Sequence, residues 1–256
     1  MIKIVVLREV RAKDAIAVSG FPGMGLVGKT VADFFIKTLN AKPVARIYST
    51  KFPAQLVIRS NAIADLNRVD IYFANHNGRP LFIVTSDTQP IHDEDQHELS
   101  YRVAEYLANC GVRELIATAA FVTEVIVEKR RVFVTGSNEH VMKKYIDAGA
   151  EPLNEGMVTG MNGVIVGWAA AFDIEAVCLL GETWRSIVEL NYVDYGAAKT
   201  IVDLIAKVWN MKLETLELMQ HSQRVEAEVR QLVRTYLKHL SEKEEREERK
   251  SSYYIT

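Results

Sequence analysis

Cysteine is scarce in this chain: Cys110 and Cys178 are the only two among 256 residues. Neither is accompanied by a pattern such as C-x-x-C, which argues against a catalytic cysteine. Each sits in or follows an apolar run, where a thiol behaves as a small buried hydrophobe of a reducing compartment. Basic charge is not in excess either, since 31 Lys and Arg face 33 Asp and Glu for a formal net charge of -2. Nonspecific nucleic-acid binding needs a basic stripe that this balance does not supply. No apolar run reaches the roughly 18 residues required to cross a bilayer. The opening segment Met1-Ile-Lys-Ile-Val-Val-Leu-Arg8 reads as a strand and not as a secretion signal. These absences predict a cytoplasmic protein with neither nucleic acid nor membrane among its partners. What is present is an ordinary globular mixture, 48% hydrophobic and 25% charged. The chain is long enough to bury a large core without disulfides or metals.

Buried strands and helices alternate along residues 1–210. Continuous apolar runs at 15–19, 81–85, 114–121 and 174–181 suit strands covered on both faces. Helical periodicity falls at 26–39, 93–110, 139–147, 164–172 and 194–209, with Asp194 as a capping residue and Gly111 and Gly149 as stops. Strands are also expected at 3–10, 43–50, 55–60, 68–74 and 131–135, with a hairpin turn at His76-Asn77-Gly78. The pattern predicts an α/β core with a mainly parallel central sheet flanked by helices. In such a fold the glycine-rich strand ends near Gly20, Thr85 and Gly181 border the usual ligand crevice.

Two readings compete for the stretch that links the second strand to the first helix. As a spacing, Gly23-x-x-x-x-Gly28-Lys29-Thr30 fits a phosphate-binding P-loop, with Lys29 for the outer phosphates, Thr30 for magnesium and Asp87 as the metal's second acid. Against it, Pro22, Met24, Leu26 and Val27 are bulky and favour burial over an open anion nest. The glycines then serve tight turns and close helix–sheet approach. The cluster His92-Asp-Glu-Asp-Gln-His97 invites a metal, yet its three acids suit the start of a helix, and histidines five apart do not share a helix face. No G-x-S-x-G elbow exists for a hydrolase, and Glu155 and Glu182 are lone acids at strand ends.

The whole order of segments resembles the proteasome assembly chaperone family, particularly its archaeal members. Gly20-Phe-Pro-Gly-Met-Gly-Leu-Val-Gly28, Thr85-Ser-Asp-Thr-Gln-Pro90, His97-Glu-Leu-Ser100, Gly111-Val-Arg-Glu-Leu-Ile116, Gly156-Met-Val-Thr-Gly-Met-Asn-Gly163 and Cys178-Leu-Leu-Gly-Glu-Thr183 carry it. The resemblance implies a fold similar to that of nucleoside phosphorylases without their activity. It also implies an ATP-independent chaperone, with no cofactor, that binds proteasome α subunits and acts as a homo-oligomer.

The remainder differs in kind. Residues 211–241 form one long helical pattern, in which Leu218, Val225, Val229, Leu232 and Tyr236 make an apolar seam. That seam either packs on its own domain or pairs subunits, with Val225, Val229, Leu232 and Tyr236 as the oligomerisation candidates. Residues 242–256 are a charged stretch, a solvated helix end or flexible stalk, tipped by Tyr253, Tyr254, Ile255 and Thr256. Some members of the family end in a hydrophobic–tyrosine–any tripeptide that docks between α subunits, and the resemblance assigns these four residues to docking. Here Tyr253-Tyr254-Ile255 has that order one residue early.

Overall fold

A computed structural model describes residues 1–58 and 62–253, with the backbone alone described at 240, 241 and 243–253. The strands are β1 Ile2–Val6, β2 Ala15–Ser19, β3 Lys42–Ser49, β4 Leu56–Ile58, β5 Ala64–Leu66, β6 Arg68–His76, β7 Arg79–Ser86, β8 Val112–Thr123, β9 Val132–Gly136, β10 Glu151–Pro152 and β11 Glu175–Trp184. The helices are α1 Val27–Thr38, α2 Asp93–Asn109, α3 Glu139–Ala148, α4 Met161–Ala171, α5 Arg185–Glu189, α6 Tyr195–Val208 and α7 Leu216–Tyr253.

Nine strands form one sheet in the order β1-β3-β6-β7-β2-β8-β11-β9-β10, and β4 and β5 form a separate two-stranded ribbon. The α/β class stands, but parallel pairing is concentrated at the centre. The run β7-β2-β8-β11 is parallel. The pairs β1–β3, β3–β6, β6–β7 and β9–β11 are antiparallel, which makes the sheet mixed. The central strands are the ones that read as unbroken apolar runs, because helices cover both faces there. On one face α2 and α4 pack over Leu99, Val103, Leu115 and Ile165. On the other, α1, α3 and α6 bury Val31, Phe35, Tyr145, Ile201 and Ile205.

Local chemistry sets the joints. Asn77 and Gly78 both take positive φ between His76 and Arg79, the two-residue turn that matches strand twist. Asp194 accepts from the Ala197 N–H and caps α6. Gly111 follows α2 at φ 87, where an added Cβ would meet the Ala12 carbonyl oxygen. The first strand is shorter than its apolar pattern suggests, because Leu7 and Arg8 turn to share the Val44 carbonyl. The boundary expected at 241 is not marked in the backbone: α7 is one helix of 38 residues. Glutamates and basic residues spaced three and four apart, with no glycine or proline, favour that continuation.

Candidate functional site

Four of the segments that carry the family resemblance meet at one end of the sheet, where the parallel strands finish. Asn162, from the second glycine-rich stretch, brackets Phe21: it accepts from the Phe21 N–H at 2.8 Å and donates to the Phe21 carbonyl at 3.0 Å. Thr85 donates to the Gly20 carbonyl at 2.7 Å. Gln89 donates to the Pro22 carbonyl and accepts from the Met161 N–H, so one side chain ties both glycine-rich stretches together. Thr118 donates to the Ser19 carbonyl at 2.9 Å. A Cβ at Gly20 would lie 1.9 Å from the Gly28 oxygen, and one at Gly28 would lie 2.3 Å from the Thr118 oxygen. These glycines are required by close backbone approach.

That geometry bears on Gly23, Gly28, Lys29, Thr30 and Asp87. An anion cradle needs backbone N–H groups aimed at open space. Here the Phe21 N–H is taken by Asn162 and the Leu26 N–H by the Gly23 carbonyl. Gly28 is buried against β8. Lys29 reaches forward along α1 to Asp33 at 2.6 Å and lies 4.0 Å from Asp87, whereas a P-loop lysine turns back over the loop. The loop makes a tight joint between β2 and α1.

Beside the joint lies a crevice of about 300 Å³ between the loop at Gly23–Met24, the end of β8 at Ala119–Val122 and the 155–160 segment. Glu155 lines it; Glu182 does not. Glu182 is fully buried, and Arg131 donates to its carboxylate from Nε at 3.0 Å, Nη2 at 2.8 Å and the backbone N–H at 3.0 Å. The Arg131 side chain holds the Glu182 carboxyl below the usual glutamate range, so it is an ionised structural anchor. Burial pushes the Cys178 thiol up to about 12, so it does not supply a thiolate. His97 accepts from Trp168 Nε1 at 3.2 Å. Met24 and Met157, which line the crevice, are exposed, an apolar rim that water does not favour; Met24 and Leu26 are thus exposed where burial was expected of them.

The other half of the site is α7. Glu217 near its start meets Lys37 at the end of α1, and Val229 reaches Trp184 at the end of β11. The helix therefore climbs the body and leaves it at the crevice end. Arg130 pins it there. This arginine is 6% exposed and donates to Asp194 Oδ2 at 2.7 Å, to the Glu182 carbonyl at 2.8 Å and to Glu226 of α7 at 3.0 Å. Burial raises the Asp194 carboxyl above its ordinary value against the pull of Arg130. Two guanidinium groups lie over the Trp184 ring, Arg130 at 4.4 Å and Arg230 of α7 at 4.8 Å from its centroid.

The expected seam divides across this anchor. Val229 is fully buried and Val225 half-buried in a cluster with Trp184 and Ile187. Leu232 is 43% and Tyr236 64% exposed. At the tip, Tyr253 is the last helical residue, while Tyr254, Ile255 and Thr256 lie outside the described residues. Asn162, Gln89, Thr118, Arg130 and Trp184 were not singled out in the sequence. Asn162 sits in a quoted segment and Gln89 in another, but a lone polar residue does not reveal which backbone it will meet.

The model of the PAC2 family matches residues 17–233. The chain belongs to the PAC2 family. The proteasome assembly chaperone resemblance read from its segments therefore holds at the level of family. Its fold superposes on the crystal structure of Pyrococcus furiosus PbaB, described as an archaeal proteasome activator. The TM-score is 0.81, at 27% identity over 90% of this chain and 98% of that one. Pyrococcus furiosus PbaA, described as an archaeal homolog of proteasome-assembly chaperone, matches with a TM-score of 0.73 and 21% identity over 98% and 99% of the two chains. An uncharacterized protein of Methanocaldococcus jannaschii is 21% identical over 84% of this chain and 81% of its own length. The PAC2 family model ends at residue 233, and the side chains that follow, 234–239, are exposed.

Proposed function

We propose that this PAC2 protein is a cytoplasmic, ATP-independent and non-enzymatic assembly factor that binds proteasome α subunits as a homo-oligomer. The observation that carries the reading is the anchored, projecting helix. Residues 234–239 are all exposed, and the helix continues to Tyr253. Twenty residues at about 1.5 Å each carry the tip about 30 Å past the body. A helix end whose described side chains are all exposed gains little stability from its own body. Leu232, Tyr236 and Leu237 then serve contact with other chains, and Tyr253, Tyr254, Ile255 and Thr256 serve docking. The names of the Pyrococcus relatives, a proteasome activator and a homolog of proteasome-assembly chaperone, support a proteasome-related role. The glycine joint holds the scaffold rigid, and the apolar rim offers a second contact area at the same end.

The test is native mass spectrometry of the full chain mixed with α subunits of its own organism, without nucleotide. A defined complex is expected, and deletion of residues 253–256 should weaken it while leaving the melting temperature unchanged. No complex at tens of micromolar overturns the partner. Equal affinity in the truncated chain overturns the role of the tip alone.

A further inference from the structure

A different surface lies at the β1 end of the sheet, on the face that carries α1 and α6. No described helix covers β1 and β3 there. The chain between β3 and β6 instead folds into the β4–β5 ribbon, which pairs Leu56 with Leu66 and Ile58 with Ala64. Leu56, Ile58 and Leu66 thus share one ribbon face, and they are 59%, 72% and 58% exposed. Between this ribbon and the sheet runs an open groove of about 890 Å³. Its sheet wall is Lys3, Val5 and Tyr48, which share a face because Lys3 pairs with Tyr48 and Val5 is two residues on. An isolated two-stranded ribbon is marginal in water, and one with a bare apolar face has reason to be covered.

Three observations say what covers it. First, among the described residues β1 pairs with β3 alone, so the alternate N–H and C=O groups of Ile2–Val6 on its other edge have no strand partner there. That row is a template for an extended backbone. Second, the side chains lining the groove include one cation, Lys3, and no carboxylate, and Lys3 has no ion pair among the described residues. A groove of one sign does not complement a second copy of itself. Third, Asn67 lines the groove while 7% exposed, and its Nδ2 has no hydrogen-bond partner among the described residues. A buried unpaired donor of this kind awaits a carbonyl or carboxylate.

We propose that this groove docks an extended, acidic segment of a partner protein, which adds as a strand to the free edge of β1. Alternate side chains of the segment lie against Val5, Leu56 and Leu66, and its carboxylates face Lys3. The surface is separate from the projecting half of α7, so it does not depend on the proteasome reading. The probe is an acetylated and amidated heptapeptide of alternating glutamate and valine, titrated into the isotope-labelled full chain. Amide shift changes should concentrate on Ile2–Val6 and on β4 and β5, and outward β1 amides should gain protection from hydrogen exchange. Lys3→Glu should weaken binding about fivefold, the size of one lost exposed ion pair. N-methylation of alternate peptide amides should weaken it further. Three results overturn the proposal: no shifts at β1 and the ribbon with millimolar peptide, unchanged affinity in Lys3→Glu, or dissociation of an oligomer of the chain alone by Leu56→Asp, which would assign the groove to a second copy.

Discussion

The two halves of α7 share one amphipathic rhythm and meet different fates. Leu218 and Val229 are buried, while Leu232, Tyr236 and Leu237 continue the stripe in the open. The inner half has Trp184, Ile187 and the Arg130 hub against it. In the outer half the described side chains at 234–239 are exposed. The difference teaches that an apolar seam read from periodicity says which side of a helix is sticky, but not what the side sticks to. The same holds for the sheet. Its centre is sealed by helices on both faces, whereas its β1 end carries an uncovered groove.

The largest expected effect comes from erasing the contrast at its hinge. Arg130→Ala leaves Asp194 buried without its cation and should cost about 3–5 kcal/mol. Denaturant unfolding measures the loss, and hydrogen exchange along 216–233 should rise toward the rate of the projecting half. An unchanged midpoint would mean that α7 docks without the hub. Next, Val229→Ala should cost about 2 kcal/mol from lost burial and the cavity left. Leu232→Ala and Tyr236→Ala should each stay within about 0.5 kcal/mol in the isolated chain. Their effect should instead show in complex formation. If all three cost the same, the seam does not divide as described.

Acid should sharpen the contrast from the docked side. The Glu182 carboxyl is depressed by Arg131. Its contribution is therefore complete above the unfolded glutamate value and is lost as pH falls through the lower folded one. Urea midpoints should decline between about pH 5 and pH 3, more steeply than in Glu182→Gln. Parallel curves would remove Glu182 from the anchor. The smallest effect belongs to the exposed Lys37–Glu217 pair at 2.6 Å, where Lys37→Ala should change stability by about 0.5 kcal/mol or less, and by less still in high salt.

Much of the fold was legible beforehand because it rests on local signals. The apolar runs of β2, β7, β8 and β11, the Asn77-Gly78 turn and the Asp194 cap each declare themselves within a few residues. The α/β class and the family followed from their order along the chain. Other features needed distance in sequence to become contacts. Asn162 reaches Phe21 across 141 residues and Arg130 reaches Glu226 across 96. No periodicity announces such pairings, because a polar side chain is specified by the backbone that arrives beside it. The P-loop spacing shows the converse: Gly23, Gly28, Lys29 and Thr30 satisfy a pattern, but Lys29 reaches forward to Asp33 and Gly28 packs against β8. By itself, then, the sequence determined element types, the family and the sticky side of α7. Tertiary structure decided which strands run antiparallel, which half of the seam is buried and where the uncovered groove lies. Those outcomes depend on which surfaces remain once packing has used the rest.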